Sequence, residues 1–176
     1  MATDLPIFKY HPNPLATGSI VQSPVACECC GEKTGYIYKA SFYAIEEVNA
    51  ICPWCIRSGK AAEMFKGSYS DDWPLQQAGL SEEIISEVTE RTPGFESWQQ
   101  EVWLTHCNDA CAYLGDASKD DVGKLADGIG YIDDGQQWSS ENYLELGKYY
   151  ESKGSPALYK FQCLHCQKIL FGIDAC

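Results

Sequence analysis

Two Cys-x-x-Cys pairs set the tightest constraint on how this chain can fold. Cys27 and Cys30 lie in Cys27-Glu-Cys-Cys-Gly31, Cys52 and Cys55 in Cys52-Pro-Trp-Cys55, and 21 residues separate the pairs, close to the spacing of a zinc ribbon. Two intervening residues let a tight knuckle aim both sulfurs at one point, and two facing knuckles complete a tetrahedral four-thiolate site. Gly31 permits the left-handed backbone that such a knuckle uses. The segment Gly35-Tyr-Ile-Tyr-Lys-Ala-Ser-Phe-Tyr43 is β-branched and aromatic enough to form a strand between the pairs. The competing reading is a disulfide or a dithiol redox pair. Cys52-Pro-Trp-Cys55 has that form, but such motifs open a helix behind a βαβ strand and need no second matching pair. The expectation is a structural zinc ion on Cys27, Cys30, Cys52 and Cys55.

The chain holds ten cysteines in 176 residues. Four more sit in Cys107-Asn-Asp-Ala-Cys111 and Cys163-Leu-His-Cys166. If the run from Glu96 through Trp98, Val102 and Trp103 stays helical, Cys107 and Cys111 lie one above the other and can grip one ion. With the knuckle Cys163/Cys166 they make a second expected zinc site, in which His106 or His165 can replace one sulfur. Cys29 and Cys176 are left as free thiols.

Around these motifs the pattern is mixed. Four prolines between residues 5 and 26 mark an extended arm lying over the core, in which Tyr10 and His11 either line a site or, the commoner case for a lone histidine between turn residues, are structural. Residues 56–65 read as a short helix or irregular segment, and 67–79 as a loop around Trp73-Pro74. Ser81 caps a helix over 80–91 with Ile84, Ile85 and Val88 on one face, and Thr92-Pro93-Gly94 stops it. Ser139 or Ser140 caps another to Glu151, with Tyr143, Leu144, Gly147 and Tyr150 on one stripe. Residues 158–173 read as a hairpin whose turn is the second knuckle. Between 115 and 137 the chain is acidic and glycine-rich but lacks the spacing of a calcium loop, so it reads as a solvated loop around a short helix. The fold class is α+β, with small zinc-ribbon-like β elements packed with several helices. Residues 1–66 form the arm and ribbon and 67–176 the helical part with its C-terminal knuckle, joined as one compact unit.

Composition narrows the function. With 25 acids against 13 bases, the formal charge is -12; two four-thiolate zinc sites would take it to about -16. Such a surface repels phosphate, which argues against nucleic acid and favours a basic protein partner. No run approaches the length of a membrane span and the N-terminus has no apolar leader region. The expected location is therefore the cytoplasm, where thiols serve as metal ligands rather than disulfides. Closed four-sulfur sites are structural, and three histidines outside any catalytic motif point away from an enzyme.

Phe8-Lys-Tyr-His-Pro-Asn-Pro-Leu-Ala-Thr-Gly18, Cys27-Glu-Cys-Cys-Gly31, Cys52-Pro-Trp-Cys-Ile56, Arg91-Thr-Pro-Gly-Phe95, Trp103-Leu-Thr-His-Cys107 and Cys163-Leu-His-Cys166 together resemble the CbrC family of bacterial proteins. That resemblance implies a link to tolerance of a DNase colicin. The function expected from it is an immunity or tolerance factor that neutralises a toxin, a basic nuclease domain, by docking an acidic face. Asp71, Asp72 and Trp73 in one loop and Asp133 and Asp134 in another are the expected contacts, an aromatic anchor beside charge. The alternative is a zinc-ribbon adaptor or stress regulator that binds no toxin.

Overall fold

The computed structural model describes residues 5–125, 131–132 and 139–174. Its fold is α+β. In chain order the elements are α1 (Pro14–Thr17), β1 (Ile20–Gln22), β2 (Tyr36–Tyr38), α2 (Pro53–Arg57), α3 (Lys60–Phe65), α4 (Trp73–Gln77), α5 (Glu82–Arg91), β3 (Thr105–His106), β4 (Asp109–Ala110), β5 (Ala112–Asp116), α6 (Lys119–Leu125), β6 (Tyr131–Ile132), α7 (Ser140–Tyr149), β7 (Ala157–Gln162) and β8 (Ile169–Asp174). Two small antiparallel ladders, β1 with β2 and β3 with β4, accompany one four-stranded sheet in the order β5-β7-β8-β6. In that sheet β7 and β8 form the expected hairpin, with Gln162 opposite Ile169, and β6 runs parallel to β8.

Helix ends follow local chemistry. The Ser81 hydroxyl accepts the Ile84 N–H at the start of α5, and Ser139 and Asn142 form a reciprocal capping box on α7. Val88 is buried with Ile84 and Ile85 packed beside it; Tyr143 on α7 and Tyr150 at its C-cap turn inward while Leu144 stays exposed. Trp73-Pro74 begins a helix, α4, inside the stretch read as loop, because proline is preorganised for the first turn. The strand expected over 35–43 is limited to Tyr36–Tyr38. The run from Glu96 is not helical at all: residues 96–104 are irregular, Trp103 is buried, and Trp98 and Val102 face out.

Three apolar cores result. One gathers Phe8, Ile20, Tyr38, Ile51, Ile56 and Tyr69 around Cys27, Cys52 and Cys55. A second is aromatic: Phe95 stacks on Tyr113 with centroids 4.2 Å apart and meets Trp103, Tyr159 and Phe161 at 5.0 to 5.8 Å. The third lies between α6, α7 and the sheet, around Val122, Leu125, Tyr150 and Phe171. The N-terminal arm is fastened to the second. Tyr10 is a member of it, and the Tyr10 carbonyl accepts the Tyr113 N–H at 2.8 Å. His11 is fully buried beside Tyr113, its Nδ1 2.8 Å from the Pro93 carbonyl and its Nε2 2.7 Å from the Thr17 hydroxyl. A carbonyl only accepts, so Nδ1 carries the proton and His11 is a neutral structural strut.

Candidate metal centres

The first centre is built by two different local structures. Cys27 opens a knuckle in which the Gly31 N–H donates to the Cys27 carbonyl at 2.7 Å and the Cys27 N–H donates to the Glu32 carbonyl at 2.9 Å. Closing it takes φ of +77° at Gly31, a left-handed conformation that glycine adopts without a Cβ clash. The other pair starts α2. Pro53 stands at its first position, where no N–H is needed, and the N–H groups of Cys55 and Ile56 return to the Cys52 carbonyl at 3.1 and 3.2 Å. No strand leads into Cys52, so the βαβ setting of a dithiol redox motif is missing at this position. The two halves are held together by Glu28 N–H to the Ala50 carbonyl at 2.8 Å and by Cys52 N–H to Cys27 Sγ at 3.2 Å.

All four sulfurs of Cys27, Cys30, Cys52 and Cys55 lie within 4.8 Å of one another, and three of the residues are buried. Cys30 Sγ is 3.9 Å from Cys52 Sγ; the edge of a tetrahedron with metal–sulfur bonds of ~2.3 Å is about 3.8 Å. No disulfide joins the described cysteines. Burial, with the neighbouring Cys27 charge, pushes the Cys52 thiol up to about 11. Burial and the surrounding sulfurs drive Cys55 far higher. Burial also opposes ionisation of Cys27, but N–H groups at Cys52, Cys30 and Cys29 outweigh it and pull that thiol below its ordinary value. Four crowded sulfurs of this kind become thiolates together only when a cation shares the site. Cys29, the middle residue of the knuckle, is buried in the same core and stays outside the donor set.

The second centre joins two hairpin tips. At the tip of β3–β4 both central residues are left-handed, Cys107 at φ +53° and Asn108 at +57°, the geometry of a two-residue type I′ turn. Asparagine tolerates this conformation; a cysteine there costs about 1–2 kcal/mol, strain of the kind that concentrates at functional positions. The other tip, between β7 and β8, repeats the first knuckle bond for bond. Cys163 N–H donates to the Lys168 carbonyl at 2.9 Å and Gln167 N–H to the Cys163 carbonyl at 3.1 Å, and Gln167, in the place of Gly31, has φ +63°.

The donors brought together are His106, Cys107, Cys163 and Cys166, again within 4.8 Å of one another. His106 Nδ1 is 3.2 Å from Cys107 Sγ and 3.4 Å from Cys166 Sγ. A tetrahedral site with nitrogen at ~2.0–2.1 Å and sulfur at ~2.3 Å has such edges of about 3.6 Å. Burial works against the Cys163 thiolate, but the N–H groups of Cys166 and His165 outweigh it and bring the thiol down to about 6.

Cys111, expected here as a ligand, is not one of the four donors. Because residues 105–110 form a hairpin instead of a helix, Cys111 enters the aromatic core fully buried. There its carbonyl accepts the Trp103 indole N–H at 2.8 Å and its own N–H reaches the Leu104 carbonyl at 2.9 Å. His106 stands in its stead. The signal for this lay in Asn108-Asp109 directly after Cys107, a turn-forming pair.

His165 points elsewhere, its Nε2 3.0 Å from Asp109 Oδ2. Asp109 is buried and also receives Tyr10 Oη at 2.7 Å and Lys9 Nζ at 3.1 Å. Burial would raise its carboxyl, yet these partners hold it below the ordinary range. One carboxylate thus ties the N-terminal arm to the hairpin that carries His106 and Cys107. As for the expected contact residues, Asp71, Asp72 and Trp73 stand at the start of α4. Trp73 is 60% exposed, Asp71 accepts the Trp73 N–H at 3.1 Å and the Gln100 side chain at 2.9 Å, and Asp72 accepts Gln76 at 2.7 Å. Asp133 and Asp134, like Cys176, lie outside the described residues.

Residues 5–175 match the family model described as "Uncharacterised protein family (UPF0167)". The chain belongs to the UPF0167 family. It is 45% identical to a UPF0167 protein of Pseudomonas aeruginosa over 177 residues, covering 99% of both chains. It is 40% identical over 166 residues to UPF0167 proteins of Mycobacterium bovis and Mycobacterium tuberculosis, covering 92% of this chain and 89% of each of theirs. No solved structure matches. The resemblance to the CbrC family is thereby corrected: family model and relatives are those of UPF0167, and the colicin link drawn from that resemblance does not transfer. No described helix is long and apolar enough to cross a membrane.

Proposed function

We propose that this UPF0167 protein is a zinc-stabilised, non-enzymatic binding protein whose acidic surface docks a basic protein domain. The observation that carries the zinc reading is the pair of four-donor clusters, one of four cysteines and one of three cysteines and a histidine. Tetrahedral sets of sulfur with imidazole suit zinc, and sites closed by four protein ligands are structural rather than catalytic. The replacement of Cys111 by His106 revises the charge. A four-thiolate site adds about -2 and a three-thiolate site about -1, taking the formal -12 to about -15. That field favours a cationic partner and speeds encounter with it.

A basic nuclease toxin is one partner of this chemistry, and a basic component of the transcription machinery is the partner expected of an adaptor. Both are distinguished by binding. The experiment is stopped-flow association of the zinc-loaded protein with basic protein domains, a nuclease toxin domain and a basic transcription-machinery domain, at several ionic strengths. The reading expects the rate to fall steeply between 0.01 and 0.1 M salt, as the Debye length contracts from about 30 to about 10 Å, and Asp71→Asn with Asp72→Asn to lower it further. Association indifferent to salt removes the electrostatic reading. Binding to the transcription-machinery domain but not to the nuclease domain favours the adaptor.

A further inference from the structure

A cavity of about 350 Å³ is lined by Thr17 of the N-terminal segment and by residues of β5 and β7, and none of the metal-donor residues is in its lining. Its volume lies at the small end of the range for ligand sites. Trp98, Tyr113 and Tyr159 supply its aromatic surface, and Glu96, Asp116 and Lys153 its charge. Two features set it apart from a packing gap. The Tyr113 side chain is 3% exposed and clamped by stacking on Phe95, which makes that wall of the cavity rigid. Lys153 forms no ion pair with either acid among the described residues, and although its charge acts on Asp116, two carboxylates face one ammonium in an aromatic setting.

We propose that this cavity binds a small organic cation, an ammonium or guanidinium group carried on an apolar or aromatic body. The charged group sits on the carboxylates of Asp116 and Glu96 and donates to them. The body lies against the Trp98 and Tyr159 rings, whose faces attract a neighbouring cation, and the Tyr113 hydroxyl supplies a further polar contact. A phosphate or carboxylate ligand would meet two acids against one lysine and is excluded by like charge. The binding site rests on its own residues and stands whether or not the basic-domain reading does.

The probe is 2-phenylethylamine, titrated into the metal-loaded full-length protein by calorimetry and ligand-observed NMR, with 2-phenylethanol and 3-phenylpropionate as its neutral and anionic counterparts. The amine should bind saturably, about tenfold or more tighter than the alcohol, as one charge-assisted hydrogen bond requires, and the anion should not bind. Asp116→Asn, which preserves the size of the side chain, should weaken the amine about tenfold while metal content and Tm stay at parental values. Equal binding of amine and alcohol overturns the proposal. So does binding of the amine that survives both Asp116→Asn and Glu96→Gln, or no saturable binding of the amine.

Discussion

Cys52→Ser and Cys107→Ser each remove one sulfur from a four-donor cluster, and their surroundings predict losses of stability of different size. Cys52 is fully buried, and with Cys27 and Cys55 it forms part of the core that includes Phe8, Ile20, Ile51, Ile56 and Tyr69. Structural zinc contributes roughly 10–16 kcal/mol at neutral pH, against a net stability of roughly 5–15 kcal/mol for a whole domain. A serine at position 52 forfeits much of that and leaves crowded sulfurs without a closed cation site, so the N-terminal core should unfold. Cys107 and Cys166 are exposed, and beneath them the stack of Phe95, Trp103, Tyr113 and Phe161 is expected to hold without metal. Cys107→Ser opens the clamp between two hairpin tips, a cross-link worth about 4 kcal/mol when counted as loop closure like a disulfide of that span. Urea unfolding followed by near-UV circular dichroism, with zinc counted on each variant, separates the two. Trp54 beside the first centre and Trp103 beside the second report on each half by fluorescence. A Cys52→Ser protein with the parental urea midpoint, or a Cys107→Ser protein as disordered as Cys52→Ser, would refute the reasoning.

Two further substitutions probe the scaffold. A Cβ at Gly94 would collide with the Tyr69 carbonyl oxygen and come within 2.8 Å of the Tyr38 hydroxyl; Gly94→Ala should therefore cost about 1–3 kcal/mol, a fall in Tm of about 3–10 °C, measured by calorimetry. His11 is pushed down to about 4 by burial, which outweighs its bond to the Pro93 carbonyl. The unfolded chain takes up that proton near pH 6.5 and the folded one does not, so stability is full above pH 6.5 and is lost as pH falls towards 4, by about 3 kcal/mol. Urea midpoints across this window should fall more steeply for the parent than for His11→Gln; parallel slopes would remove His11 from the account.

What could be read from the sequence was what depends on close neighbours. The Cys-x-x-Cys spacing, the caps at Ser81 and Ser139 and the hairpin around Cys163 are local, and each appears in the structure with its expected bonds. The second cluster was harder because its composition depends on the conformation of one short segment. Cys107 and Cys111 share a helix face only if residues 96–111 are helical, and the aromatic core drew Trp103 inward while the chain turned at Cys107-Asn108. Tertiary burial overrode the local periodicity, and His106 was carried into the cluster. The turn geometry of the second knuckle was hidden for a related reason: glycine at 31 advertises a left-handed turn and glutamine at 167 does not, though both adopt it. The cavity was invisible altogether, since Glu96 in an irregular stretch, Lys153 in a turn, and Tyr113, Asp116 and Tyr159 on β5 and β7 meet only in the folded chain.

The central claim, two structural zinc ions held by seven sulfurs and one imidazole, is tested most directly by X-ray absorption at the zinc edge on protein purified without added metal, with elemental analysis of the same sample. The account predicts two zinc ions per chain and an average shell dominated by sulfur at ~2.3 Å, with about one nitrogen at ~2.0–2.1 Å for every two metals. His106→Ala should abolish the imidazole scattering and leave the sulfur shell of the first centre intact. One metal or none per chain, a shell rich in light atoms, or imidazole scattering that persists in His106→Ala would contradict it.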